Sequence, residues 1–304
     1  ATKNETIEIS RLLEEAMAAG AFGFSTTNAG QHVGYKGRPL ACRLASDEEL
    51  RAYCNVLRKI GRGSIEVALT NEVSKVSASE RDLLELLLTE STRPVTWLAL
   101  LNRDDDPEAV QRTLNEVDDL IKRGARPQST VRPFIIQIDL RTPFIFANMQ
   151  CWNPVLNQSV EDQIKILSDT SFRDAFKEAL KKPLIFTSRW EVMTVLETSA
   201  PELAQYVGQN IQQIANGWGV DPVDAFLDLA IKDKLSTQYN YELFNSDESR
   251  IPELITDPRI LIGLSDGGAH VDALCDAGYC TYLLGTWVRD NPVMSLERAI
   301  QRIT

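Results

Sequence analysis

The chain has no C-x-x-C pair, no G-x-G-x-x-G, no apolar run long enough to cross a bilayer and only two histidines. Each absence closes a route. Without G-x-G-x-x-G after a strand, a dinucleotide-binding sheet loses its best marker. Five cysteines at 42, 54, 151, 275 and 280, an odd set without metal-type pairing, read as reduced thiols rather than a disulfide framework. Basic residues are in deficit: 32 Lys and Arg face 43 Asp and Glu, for a net charge of −11. That argues against nucleic acid or an anionic membrane as partner, since both need a basic face. The opening ATKNETIEIS carries no signal-peptide pattern, and a cytoplasmic enzyme is the expectation.

What is present is ordinary in bulk and repetitive in arrangement. An apolar fraction of 43% and a charged fraction of 25% over 304 residues fit one large α/β barrel or two smaller domains. An amphipathic helix, a short turn and a short apolar strand ending in polar residues recur along the chain. Examples are LLEEAMAAGAFGFSTTN, LRAYCNVLRKIGRGSIEVALTNE, LLELLLTESTRPVTWLALLN and IPELITDPRILIGLSDGG. Helical spacing shows in Leu114, Val117, Leu120 and Ile121. The strands read as apolar on both faces, as in a parallel sheet covered by helices.

Alternating helices and parallel strands predict an α/β fold, either an open doubly wound sheet or a closed (β/α)8 TIM-like barrel. Polar residues gather where strands end: Ser25-Thr26, Thr70-Asn71, Asn102, Arg132, Thr187-Ser188-Arg189 and Asp266. A barrel enzyme builds its active site at that rim, which favours the barrel. About six units are legible rather than eight, the chain opens directly on a helix, and it ends inside SLERAIQRIT. The expectation is an incomplete barrel domain over residues 1–304, with an insert near 138–171 passing over its mouth.

The last strand stops at Ser265-Asp266-Gly267-Gly268, with His270 close behind. An acid at a strand's carboxyl end can ligate a divalent metal and take a proton from water. Glycines beside it leave room for a substrate. The structural alternative is a helix cap on Asp266 with a glycine turn.

These residues resemble a known family. GLSDGGAHVDALCDAGYCTYLLGTWVRD, followed by SLERAIQRIT, is similar to the amidohydrolase superfamily, in the N-acyl-D-amino-acid deacylase or D-aminoacylase-like branch. AGAFGFSTT resembles that branch's A-G-A-x-G-[FL]-S-T strand, with weaker matches at RPVTWLALL and DPVDAFLDLA. The resemblance implies a metal-dependent barrel hydrolase of amide bonds with a divalent ion, zinc by preference, and a small flanking β domain. It assigns Asp266 as both metal ligand and general base. The substrate would be a small-molecule amide such as an N-acyl amino acid. The alternative is a non-catalytic barrel of the same fold that binds a small ligand. A homo-oligomer is left open.

The sequence departs from the branch in three respects. Its early H-x-H pair has no counterpart here, and two strands that should end on histidine read SIEVALTNE and PVTWLALLN. Asn71, Glu72 and Asn102 stand near those places. The branch's substrate-holding arginine after the aspartate is also missing between Asp266 and Thr286.

Further candidates are substrate contacts. His32, in the polar loop GQHVGYKGRPL, falls at the rim; the plain reading is an exposed loop histidine. Arg132 and Arg189 could clamp a carboxylate, or simply pair with nearby acids. Asn71 and His270 complete the expected substrate-binding set. Cys275 and Cys280 read as small thiols, and the five tryptophans as anchors. RDDDPE is expected to cap a helix near Pro107 through Asp106.

Overall fold

The computed structural model describes the whole chain except residues 36–37, 70–71, 148, 183–185, 187, 266, 268–272 and 275, and the side chain of Phe144. The elements run α1 (Lys3–Ala18), β1 (Gly23–Thr27), α2 (Asp47–Ile60), β2 (Ser64–Ala68), α3 (Ala78–Ser91), β3 (Val95–Leu98), α4 (Ala109–Glu116), α5 (Asp118–Lys122) and β4 (Ala125–Ser129). There follow β5 (Phe134–Ile138), α6 (Val160–Ser168), α7 (Thr170–Ala179), β6 (Met193–Glu197), α8 (Ile211–Trp218), α9 (Pro222–Lys232) and β7 (Gln238–Phe244). The chain closes with α10 (Ile251–Thr256), β8 (Leu261–Ile262), α11 (Tyr279–Tyr282), a π-helix at Leu283–Asp290 and α12 (Leu296–Ile303).

Local chemistry sets the boundaries. Ser46 caps α2 by accepting from the Glu49 N–H, and Gly61 ends it in the left-handed region. Ser77 and Glu80 form a capping box on α3. Gly23, inside the AGAFGFST stretch, has no room for a side chain: a Cβ there would stand 1.7 Å from the Ser64 carbonyl oxygen. The helix expected at Pro107 starts at Ala109 instead. Asp106 offers its backbone carbonyl to Ala109, and its carboxylate pairs with Arg112 rather than capping.

β1, β2, β3, β4 and β8 form one parallel sheet in that order. Its helix-facing side buries Ile65, Val67, Val95 and Trp97 against Met17, Leu57 and Leu87 of the flanking helices. Each such side chain contributes roughly 1.5–3 kcal/mol on burial. The other side corrects the expectation of strands apolar on both faces. Ser25, Glu66, Thr96 and Arg126 share one register row, and Gln128 lies on the same face two residues on. These side chains face the concave interior of the barrel arc, where Ser25 and Glu66 remain exposed.

Between β4 and β8 the chain leaves the parallel pattern. β5, β7 and β6 make an antiparallel sheet in that order. It packs with α6–α9 around a dense aromatic cluster. Phe146 stacks on Trp152 at 4.5 Å and meets Phe176, Phe186 and Phe226 edge-on. The expected insert at 138–171 thus supplies one side of a larger unit that runs from Phe134 to Phe244. Helices α8 and α9 belong to this unit.

The carboxyl-terminal elements brace β8. Arg302 on α12 donates to the carbonyls of Ile255, Asp257 and Ile260, which fixes the turn into that strand. Trp287 Nε1 donates to the Val131 carbonyl at 2.6 Å, tying the π-helix to the exit of β4. No helix among the described residues is long and apolar enough to cross a membrane.

Candidate functional site

A cavity of about 430 Å³ opens at the carboxyl ends of the parallel strands. Its floor is the rim of the sheet, with Ser25, Thr26 and Thr27 of β1, Glu66 and Ala68 of β2, and Leu98 of β3. Its opposite wall is the antiparallel sheet, through Phe134, Ile136, Leu243 and Phe244. Val73, Ala99 and Leu101 fill the side between them. This is where the fold class places a site, outside the carboxyl ends of parallel strands.

Polar groups in this space are few and are tied to one another. His32 Nδ1 lies 2.6 Å from Thr27 Oγ1, which also accepts from the Ala29 N–H. The Arg43 guanidinium holds the loop by donating to the carbonyls of Gly30 and His32. Gln128 joins three strands. Its Nε2 donates to Glu66 Oε1 at 3.2 Å and to Thr96 Oγ1 at 3.0 Å, while its Oε1 accepts from the Leu264 N–H at 3.2 Å. Leu264 takes a positive φ of 41°, a strained setting for a branched side chain, at the point where β8 empties into the cavity. Glu66 and Gln128 were not singled out from sequence. The signal was there, a charged residue at an alternate position of SIEVA, but a five-residue strand leaves little room to see alternation.

Ser265 and Asp276 are joined directly. The Asp276 N–H donates to the Ser265 carbonyl at 2.7 Å, and the buried Asp276 carboxylate accepts from Thr130 Oγ1. Arg132 Nε stands 2.5 Å from Asp276 Oδ1, an ion pair held by proximity rather than by an aligned N–H.

The six expected site residues fall in three groups. His32 lines the cavity. Arg132 and Arg189 do not; Arg132 pairs with Asp276, and Arg189 with Asp104 at 2.7 Å and Glu191 at 3.3 Å. Asp266, His270 and Asn71 lie outside the described residues. Asn102 is buried and structural: its N–H donates to Asn245 Oδ1 at 2.6 Å and its Nδ2 to the Arg250 carbonyl at 3.1 Å. Glu72 pairs with Lys75 and lies 3.6 Å from Arg103.

Cys42, Cys54, Cys151 and Cys280 are free thiols. Cys54 is fully buried, and burial pushes its thiol up to about 12. Cys42 is exposed and borders the cavity. Cys275 lies outside the described residues.

Among the described residues no group of three or more His, Cys, Asp and Glu side chains comes together. At the cavity the described donors of those types are His32, Cys42 and Glu66.

The sheet arc and its rim cavity define an α/β fold of the TIM-barrel-like kind. Among solved structures the chain is similar over its whole length to N-acyl-D-glutamate deacylase from Bordetella bronchiseptica, complexed with zinc and a phosphonate mimic of the tetrahedral intermediate. The TM-score is 0.55 at 17% identity, with 52% of that chain covered. It is similar also to D-aminoacylase, in a structure concerned with a binuclear metal centre, at a TM-score of 0.53 and 18% identity over 52% of that chain. The fold expected from the resemblance is thereby borne out. Curated relatives include uncharacterized proteins of Mycobacterium tuberculosis and Mycobacterium bovis, 26% identical over all of this chain and 52% of theirs. The chain therefore spans about half the length of the curated relatives it matches. No protein-family model matches it.

Proposed function

We propose that the chain is part of a hydrolase of carbon–nitrogen bonds, with Asp266 as the residue that moves the proton. The observation that carries this reading is the cavity at the strand rim, which Leu264 lines two residues before Asp266 in the sequence. An amide in this cavity would lie between Thr27 and His32 on one side and the end of β8 on the other. A water molecule gives a proton to Asp266 as its oxygen adds to the amide carbon. The tetrahedral intermediate then collapses as Asp266 returns the proton to the departing nitrogen. His32, held by Thr27, orients the substrate.

Zinc, present in the similar N-acyl-D-glutamate deacylase structure, remains a proposal for this protein, with Asp266 as its expected ligand. The described residues add no further metal cluster. Replacing Asp266 by Asn in the longest natural form of the protein should lower turnover by about 10²–10⁴-fold with unchanged circular dichroism. Normal turnover in that variant refutes the assignment. Metal content measured on the parent and on Asp266→Ala tests the ligand role separately.

A second reading, a barrel that binds without catalysis, draws support from the mostly apolar lining. Saturable ligand binding with no hydrolysis across a panel of amides would establish it.

A further inference from the structure

We infer that the cavity takes ligands that present an aliphatic group to the antiparallel wall and carry no carboxylate at the rim. The inference deepens the hydrolase reading by naming a substrate class: uncharged aliphatic amides rather than N-acyl amino acids. Three observations carry it.

The first is the wall. Phe134, Ile136, Leu243 and Phe244 face Val73 and Leu101 across the space, and this lining favours an alkyl chain over a polar group. The second is Glu66. Its side chain lines the cavity on the exposed inner face of β2, and its described polar contact is the neutral amide of Gln128. A carboxylate on the ligand placed at Glu66 would meet this negative charge.

The third is the placement of the cations. Among the described residues no lysine or arginine lines the cavity. Three arginines near it donate to backbone carbonyls; Arg103 donates to the carbonyl of Val73. Arg126, on the inner face of β4, donates to the carbonyls of Ile121 and Ala125. Arg43, next to the cavity-lining Cys42, donates to the carbonyls of Gly30 and His32. The residues outside the description include one lysine, Lys36, and no arginine.

The test is equilibrium binding of octanamide and of N-octanoylglycine to the parent chain and to Glu66→Gln, with hydrolysis of both followed in parallel. Glu66 is exposed, so the substitution leaves the core untouched. The parent should bind octanamide about tenfold more tightly than N-octanoylglycine, and Glu66→Gln should narrow that gap to within about threefold. Equal or tighter binding of N-octanoylglycine by the parent overturns the inference, as does a gap unchanged in Glu66→Gln or no binding of either compound. The predicted binding order with neither compound cut sustains the ligand class and counts against the hydrolase reading. Preferential cleavage of N-octanoylglycine sustains the hydrolase reading and overturns the ligand class.

Discussion

Removing the Asp233 carboxylate should loosen the unit built between β4 and β8. Asp233 follows α9 and is 4% exposed. Its Oδ1 accepts from the Ala200 N–H at 2.8 Å and its Oδ2 from Thr237 Oγ1 at 2.9 Å; both oxygens lie within 3.1 Å of the Ser199 nitrogen. One side chain thus joins the exit of β6 to the approach of β7. A hydrogen bond to a charged acceptor is worth about 1.5–3 kcal/mol, and a buried donor left unpaired costs about 1–3 kcal/mol. Ser199 is exposed, so water can replace part of what its N–H loses. Alanine at 233 should therefore cost roughly 2–4 kcal/mol. Asparagine keeps the shape and one acceptor oxygen, and Thr237 can turn its hydroxyl to accept, so it should cost roughly 1 kcal/mol. Urea unfolding followed by tryptophan fluorescence measures both, since Trp190 and Trp218 lie in this unit. An alanine variant within about 0.5 kcal/mol of the parent would show that the network contributes little to stability.

Four further outcomes are expected. Phe146→Ala should destabilise by roughly 3–5 kcal/mol in the same urea assay, because the ring sits at the centre of the aromatic cluster. For Asp224, burial pushes the carboxyl up but Lys177 and Arg173 outweigh it, so its folded value is lowered; its contribution is complete above the unfolded value and fades as pH falls below about 4. Asp224→Asn should then cost about 1 kcal/mol at pH 7 and almost nothing near pH 2, read from urea midpoints at both. A thiol reagent at pH 8 should modify exposed Cys42 within minutes and reach Cys54 only on unfolding, checked by mass spectrometry of the modified peptides. Gln128→Leu removes the link from Glu66 and Thr96 to the Leu264 N–H and should raise amide exchange at Leu264, measured by hydrogen exchange.

The parallel part of the fold was legible because its signals are local. Helix α2 announces itself with Ser46 and Gly61, α3 with Ser77 and Glu80, and the strands after them are short apolar runs. The antiparallel sheet was not, because β5 pairs with β7 about a hundred residues later and no hairpin turn marks the event. Only its effect showed, as a break in rhythm near Ile138. The helix predicted through Leu114, Val117, Leu120 and Ile121 divides at Val117, which buries its side chain as predicted but ends α4. His32, proposed from its polar, glycine-rich loop, lines the cavity. Arg132 and Arg189 carried the same signal of an arginine past a strand, yet neighbouring acids claim both. Pairing with nearby acids stood open for both from sequence, but Asp276 and Asp104 lie far from their partners along the chain, so the partners could not be named.

The cavity is made by two authors. Its polar rim belongs to strands of the parallel arc, while much of its apolar wall is lent by a segment threaded in between the fourth and the last of those strands. Replacing Phe134, Ile136, Leu243 or Phe244 can therefore reshape what the cavity admits while Thr27, Glu66 and Gln128 keep their places. Selection can retune the choice of ligand on one stretch of chain without renegotiating the chemistry held on the other.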